Sequence, residues 1–343
     1  GSEMCIRDSA ILTVSTILVK IIGAIFKIPL IAILPEEAYG DFNGAYNIYS
    51  FFLTISTAGL PVALSKTVSE CHTLGRENQK HRVFRVAFCA FLFMGLFSFL
   101  CMSVFGQLVA TYIIGNEKAV FCVWALAPAV LCTCCCSAFR GYAQGHGNMT
   151  PTAVSQILEA LCKLVIGLGL AYWLVRAGQP SHVAAAGAIT GVTVGTILAL
   201  AYMIFNFVST RMREEKDTQD APDSARRILS TLMKIAIPIT ISSSMVGIVT
   251  VIDSALVQGQ IQKVLISDPD SWALYQQVVD FVPLEAARDA WQQAVSSGAA
   301  AEAVSQLYGA VELAAENISR SLYGNYSGAL TIYNLPLSLM AAI

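Results

Sequence analysis

Charge is what this sequence has least of. Only 13% of its 343 residues are Asp, Glu, Lys or Arg, where a soluble globular chain carries about 25%. That is too little polar cover for a water-soluble protein of this length. It excludes a disordered chain and an ordinary cytosolic enzyme. The 21 basic and 23 acidic residues leave a formal charge of −2, so there is no basic surplus of the kind a nucleic-acid-binding domain needs. Paired carboxylates and metal-ligand clusters at the edge of an apolar run are also missing. The chain therefore reads as a non-enzyme with no cofactor and no metal site.

What is present is apolar. Hydrophobic residues make up 55% of the chain and the mean hydropathy is +0.62, which points to an all-α polytopic membrane protein. Of ten cysteines, Cys89, Cys101, Cys122, Cys132, Cys134, Cys135, Cys136 and Cys162 sit inside apolar runs, as small hydrophobes do. The run from Cys132 to Cys136 has no histidine or carboxylate to complete a metal site.

A spanning helix needs about 20 mostly apolar residues. Seven complete spans are expected at 10–34, 43–65, 83–108, 119–139, 151–175, 183–208 and 229–257, with an incomplete eighth from 326. All must be helical, because an open sheet in lipid leaves backbone groups unpaired. With the N-terminus in the cytoplasm, thirteen Lys and Arg fall on the cytoplasmic side, among them Lys66, Arg76, Lys80, Arg82, Arg85, Arg140, Arg226 and Arg227. Five fall outside: Lys118, Arg176, Lys263, Arg288 and Arg320. The asymmetry favours that orientation in a bacterial inner (plasma) membrane.

Composition divides the chain. Residues 1–9 do not match the apolar run that begins at Ala10, and they read as a non-native leader. Residues 10–208 form a lobe of six spans, and 209–228 a cytoplasmic linker. Residues 229–343 begin a second lobe that stops in mid-span. Within it, about 258–322 is polar, acidic and Ala-rich, and reads as an extracytoplasmic helical insertion with a possible partner of its own. Asp268-Pro269 looks like a helix start. Pro283 starts a helix with Leu284, Ala287, Trp291 and Val295 on one face, and Gly298 ends it.

Polar residues inside the spans form stripes at helical spacing. The first span carries Thr13, Thr16, Lys20, Gly23 and Lys27. The second carries Asn43, Asn47, Ser50, Thr54, Thr57, Pro61 and Ser65. The seventh carries Ser243, Gly247, Thr250 and Ser254 beside Asp253, and the eighth Ser327, Thr331, Asn334 and Ser338. Small polar residues alone serve helix packing. A mid-span lysine is costly and usually faces a cavity or a partner, so Lys20 and Lys27 mark a cavity wall. Glu159 and Lys163, four residues apart in the fifth span, are placed to pair with each other. Asp253 is the carboxylate of the seventh span and can pair across to Lys20 or Lys27. Pro29, Pro61, Pro238 and Pro336 are candidate hinges in spans that also carry the stripes. The loop from Arg140 to Pro151 is a tight Gly-rich turn capped by Thr150, with His146 as a turn residue.

These residues carry a resemblance. Tyr39-Gly40 with the run Gly59-Leu60-Pro61-Val62-Ala63-Leu64-Ser65-Lys66 is similar to the polysaccharide-export branch of the MOP (multidrug/oligosaccharidyl-lipid/polysaccharide) exporter superfamily. So are Phe139-Arg140-Gly141-Tyr142, Gln144-Gly145, Met149-Thr150-Pro151, Ser155-Gln156, Glu159, Ile237-Pro238, Asp253 and Asn334-Leu335-Pro336. The resemblance implies a MATE-like two-lobe transporter fold, here truncated in the second lobe, with spans one, two, seven and eight lining a central cavity. It implies a flippase that moves undecaprenyl-pyrophosphate-linked saccharides, such as lipid II or a polysaccharide repeat unit, by alternating access through the membrane lipid. On that reading Lys20, Lys27, Asn47, Thr54 and Asn334 bind substrate. Glu159, Lys163 and Asp253 gate or couple, and the prolines act as hinges. The second-span arginines used by flippases of this branch have no counterpart here. The alternative is a cation-coupled multidrug antiporter of the MATE type, which needs an acid-rich cavity.

Overall fold

A computed structural model describes residues 2–114, 117–211 and 221–340. The side chains of residues 2–9, of Asp253 and of residues 330–340, which include Asn334 and Pro336, lie outside the described residues. Every regular element described is helical: α1 (Ser2–Ile33), α2 (Glu36–Thr57), α3 (Leu60–Thr73), α4 (Glu77–Val104), the short α5 (Gly106–Val109), α6 (Val120–Gly145), α7 (Thr150–Cys162), α8 (Leu168–Arg176), α9 (Ser181–Arg211), α10 (Ala225–Ser267), α11 (Val282–Ser296) and α12 (Ala301–Met340). A π-helical turn, Lys163–Gly167, joins α7 to α8.

Seven described segments are long and apolar enough to cross a membrane, and they overlap the seven complete spans expected. The protein is a multi-pass membrane protein. α2 and α3 together make the second span, broken at Ala58-Gly59. The break falls where Pro61 has no N–H to donate to the Thr57 carbonyl, and where the backbone comes close to α10. A Cβ on Gly59 would stand 2.1 Å from the Ala236 carbonyl oxygen of α10, so only glycine lets the two backbones meet. Pro61 then sits in the first turn of α3, where its missing N–H costs nothing. Pro29 and Pro238, by contrast, lie inside helices that continue past them.

α1 shows how one helix serves three surroundings. Phe26 and Leu30 are fully buried against the bundle. Val14, Leu18, Ile21, Ile25 and Ile28 are exposed on one side, the face that meets lipid tails. The polar stripe Thr13, Thr16, Lys20, Gly23 and Lys27 lies on the other side of the buried face, about 100° round from it by helical geometry. A Cβ at Gly23 would meet nothing within 4 Å, so the stripe opens onto space.

The bundle core falls into two clusters. One joins α1, α2, α6 and α9 around Phe26, Phe42, Leu126 and Ile189. The other ties α3, α4 and α6 to α10 through Leu64, Phe91, Leu232 and Ala236. The end of the linker is fastened to α4. The Gln79 amide nitrogen donates to Asp223 Oδ2 (3.0 Å), and the Asp223 backbone N–H donates to Gln79 Oε1 (2.6 Å). Lys80, expected as a loop cation, is fully buried and paired with Glu77.

The tight turn after α6 is closed by Asn148, not by Thr150. Asn148 Oδ1 accepts the Thr150 N–H at 3.2 Å, while Thr150 is already the first residue of α7. His146 ends α6 and packs on Tyr142 and His72.

The segment read as an insertion grows out of the spans themselves. α10 has 43 residues and α12 has 40, about 60 Å each, against about 30 Å of hydrocarbon. Their overlapping ends hold α11 and a two-turn 3₁₀ segment, Pro269–Leu274, in a headpiece with its own core of Leu265, Trp272, Phe281, Leu284, Val311 and Ile318. The Trp272 indole N–H donates to the Leu265 carbonyl at 2.9 Å and the ring stacks on Phe281. Gly298 closes α11 with φ of +69°.

Candidate functional site

The inner face of the first lobe is built on an aromatic ladder along α2. Tyr39, Phe42, Tyr46 and Tyr49 follow at helical spacing. Tyr39 stacks on Phe42, Phe42 on Tyr46, and Tyr46 tilts against Tyr49, with centroids 5.6–6.1 Å apart. Phe26 of α1 joins at 6.1 Å. A lysine caps this ladder. The Lys163 ammonium lies 4.6 Å from the Tyr46 ring centre and 4.9 Å from that of Phe26, and donates to the Tyr46 hydroxyl at 3.4 Å. Aromatic faces hold a cation where water is scarce.

Glu159 and Lys163 do not pair with each other. Arg140 takes Glu159 instead: its Nη2 stands 3.0 Å from Glu159 Oε2, while its Nε donates to Ser155 Oγ at 2.9 Å. A guanidinium grips two acceptors at fixed angles, which an ammonium cannot do. Ser155 donates its own hydroxyl proton to the Thr152 carbonyl. Lys163 is the first residue of the π-helical turn and leans toward α1 and α2. Such turns inside α-helices often occur at functional sites.

Lys27 follows Phe26, over whose ring the Lys163 ammonium lies, so the two lysines come from neighbouring elements on the lobe's inner side. Lys20 stands seven residues earlier on the same stripe and is half-buried. Asn47 donates through Nδ2 to the Tyr323 hydroxyl of α12 at 3.5 Å, linking the first lobe to the start of the second. Thr54 donates to the Ser50 carbonyl at 2.7 Å within its own helix. Tyr49 shares a 3.4 Å hydrogen bond with Thr133 of α6. Asn43 Nδ2 is buried with no hydrogen-bond partner among the described residues. Asp41 is buried further along α2, within electrostatic range of Cys122.

The structure thus brings Lys27, Lys163, Glu159 and Asn47 to one side of the lobe. It keeps Pro238 and Thr54 as helix residues, and puts Pro61 at the only one of these positions where a described helix actually breaks. Asp253, Asn334 and Pro336 fall on α10 and α12 with side chains outside the described residues. Four contributors are not evident from the sequence. Its pattern places Arg140 in a loop, but α6 runs on to Gly145. Tyr46, Tyr49 and Tyr323 look like core aromatics. A signal exists for two of them, since Tyr39, Phe42, Tyr46 and Tyr49 repeat at steps of three and four beside Asn43 and Asn47.

Comparisons with known proteins agree with this architecture. A family model described as polysaccharide biosynthesis protein matches residues 5–279. Lipid II flippase MurJ of Bacillus subtilis (strain 168) is 26% identical over 197 residues, covering 55% of this chain and 36% of its own length. Stage V sporulation protein B of the same organism is 24% identical over 247 residues, 70% of this chain and 46% of its own. The chain therefore spans about half the length, or less, of these curated relatives. A multidrug resistance MATE family transporter of the MOP superfamily, solved in its outward-facing conformation, superposes with a TM-score of 0.56 at 14% identity, covering 96% of this chain and 85% of that one. That likeness concerns the fold alone. With its helical order and broken second span, the chain belongs to the polysaccharide biosynthesis protein family.

Proposed function

We propose that this chain supplies the first lobe, and the start of the second, of a flippase for lipid-linked saccharides. The substrate is carried by its undecaprenyl pyrophosphate and crosses the bacterial plasma membrane by alternating access. The observation that carries this reading is Lys163 on the lobe's inner side. Its ammonium rests on the rings of Phe26 and Tyr46, and the carboxylate one turn before it, Glu159, is occupied by Arg140. A cation held on aromatic faces within a spanning segment is suited to receive an anion. A pyrophosphate supplies that charge. A cationic drug would be repelled, so the multidrug reading is the weaker one.

On this proposal Lys20 and Lys27 receive the pyrophosphate along the open stripe of α1. Lys163 is the deeper anchor, and Asn47 with Asn334 contacts the saccharide side. Arg140–Glu159 holds α6 to α7 beneath the site, and Asp253 contributes coupling from the second lobe. The break at Ala58-Gly59 and the prolines absorb the rocking of the lobes. With the N-terminus in the cytoplasm, the headpiece faces outward and can meet an extracytoplasmic partner.

The test is binding of undecaprenyl pyrophosphate by the detergent-solubilised protein, read by native mass spectrometry. Lys27→Gln with Lys163→Gln is expected to weaken retention about tenfold or more. Unchanged retention by that variant overturns the assignment.

A further inference from the structure

A lateral groove of about 920 Å³ runs between α4, the α2–α3 break and the first half of α10. Its lining shares no residue with the set Lys20, Lys27, Asn47, Glu159 and Lys163. Phe93 and Met94 form one wall, Leu229, Ile237 and Ile241 the other, and Leu60 closes the floor. Phe93, Leu229, Ile237 and Ile241 are exposed, so the groove opens sideways toward lipid.

Two arginines interrupt this apolar lining. Arg85 comes from the third turn of α4 and Arg226 from the first turn of α10. Neither takes part in an ion pair or hydrogen bond among the described residues. Their basic neighbours are different. Arg227 is bonded to Asp223 at 3.3 Å, Lys80 is paired with Glu77, and Arg140 with Glu159. Arg85 and Arg226, by contrast, both line the one groove.

Annular lipid would cover any apolar face, and a single arginine near a helix end snorkels to the interface. Two un-neutralised guanidinium groups at the rim of one concave apolar channel ask for more. A guanidinium matches a phosphate through paired N–H donors, and basic pockets between spanning helices bind anionic lipid head groups. We propose that the groove seats one anionic diacyl phospholipid of the leaflet at this basic end. Arg85 and Arg226 hold its phosphate, and an acyl chain lies along Phe93, Ile237 and Ile241. α4 belongs to the first lobe and α10 opens the second, so the seated lipid bridges the lobes beside the Gly59–Ala236 contact. This does not depend on what the inner face carries.

The experiment uses the whole chain in detergent. Phosphatidylglycerol and phosphatidylcholine of identical acyl chains are titrated in competition and retained lipid is read by native mass spectrometry. Phosphatidylglycerol is expected to be preferred by about thirtyfold. Arg85→Gln with Arg226→Gln should abolish the preference and leave the lipid-free thermal midpoint in place. Should that variant not fold, Arg85→Lys with Arg226→Lys keeps the charge and loses the fork, and should retain only part of the preference. Ile237→Trp, which fills the channel, should lower retention of both lipids. Equal retention of the two lipids by the wild-type chain overturns the proposal. So does a preference that survives removal of both arginines, or retention of undecaprenyl pyrophosphate at this groove with no phosphatidylglycerol.

Discussion

The membrane bundle and the headpiece each hold a cation over an aromatic ring, and they do it in opposite settings. In the bundle, Lys163 lies over Tyr46 and Phe26 among helices whose outer faces meet lipid. In the headpiece, Arg288 lies over Trp272 at 5.5 Å, on an amphipathic helix. The headpiece buries an apolar core and leaves most of its charges exposed, while Arg288 is half-buried, its Nη1 enclosed without a hydrogen-bond partner among the described residues, and packs on Trp272. No such sorting acts on the bundle, where lipid and core are both apolar. There a cation is unfavourable wherever it sits, and Lys163 is kept in spite of stability. The contrast separates a residue that holds a fold from one that a fold tolerates.

The sharpest way to break this contrast is to remove the headpiece core. Trp272→Ala deletes the Phe281 stack and the bond to Leu265, at a cost of about 3–5 kcal/mol. Amide exchange should accelerate in 282–296 while the bundle segments keep their protection; loss of protection in both would show one cooperative unit. Next comes Glu159→Leu, which leaves the mostly buried Arg140 without its counter-charge. It should cost about 3 kcal/mol in thermal unfolding, and Arg140→Met with Glu159→Leu should regain most of that.

Gly59→Ala drives a methyl into the Ala236 carbonyl and should destabilise the α3–α10 junction by about 1–3 kcal/mol. Disulfide trapping between engineered cysteines on the two helices would report it. The fourth substitution tests the contrast itself. Lys163→Met removes a half-buried charge with no carboxylate partner among the described residues, so it should raise the thermal midpoint, by an amount worth about 1 kcal/mol. Arg288→Met should lower headpiece stability by about 0.5–1 kcal/mol. Smallest is Tyr323→Phe. Its 3.5 Å contact with Asn47 is long, and the loss should stay under about 0.5 kcal/mol.

The spans are legible in the sequence because lipid demands long apolar runs, and the polar stripe of α1 because lysine is too costly to place at random. The α11 helix is legible from Pro283, its Leu284–Trp291 face and Gly298. Side-chain partners are harder to read. Glu159 and Lys163 have ideal spacing along one helix, yet Arg140 reaches Glu159 from α6, a choice that depends on how two helices cross. The break in the second span is also hidden. Proline marks the place, but not the close approach of Gly59 to a backbone carbonyl of α10, since no local pattern encodes a partner 177 residues away. The length of α10 and α12 is concealed as well, since the change from apolar to polar composition looks like a boundary although the helix continues through it.

The most direct test of the central claim is flipping of fluorescent lipid II in proteoliposomes that hold this chain. Wild type and the Lys27→Gln, Lys163→Gln variant are compared at equal incorporation, with Lys163→Met checked for retained folding. The account predicts flipping by the wild type and a loss of about tenfold or more in the variant. Equal rates for the two would contradict it, and would remove the inner lysines from the transport path.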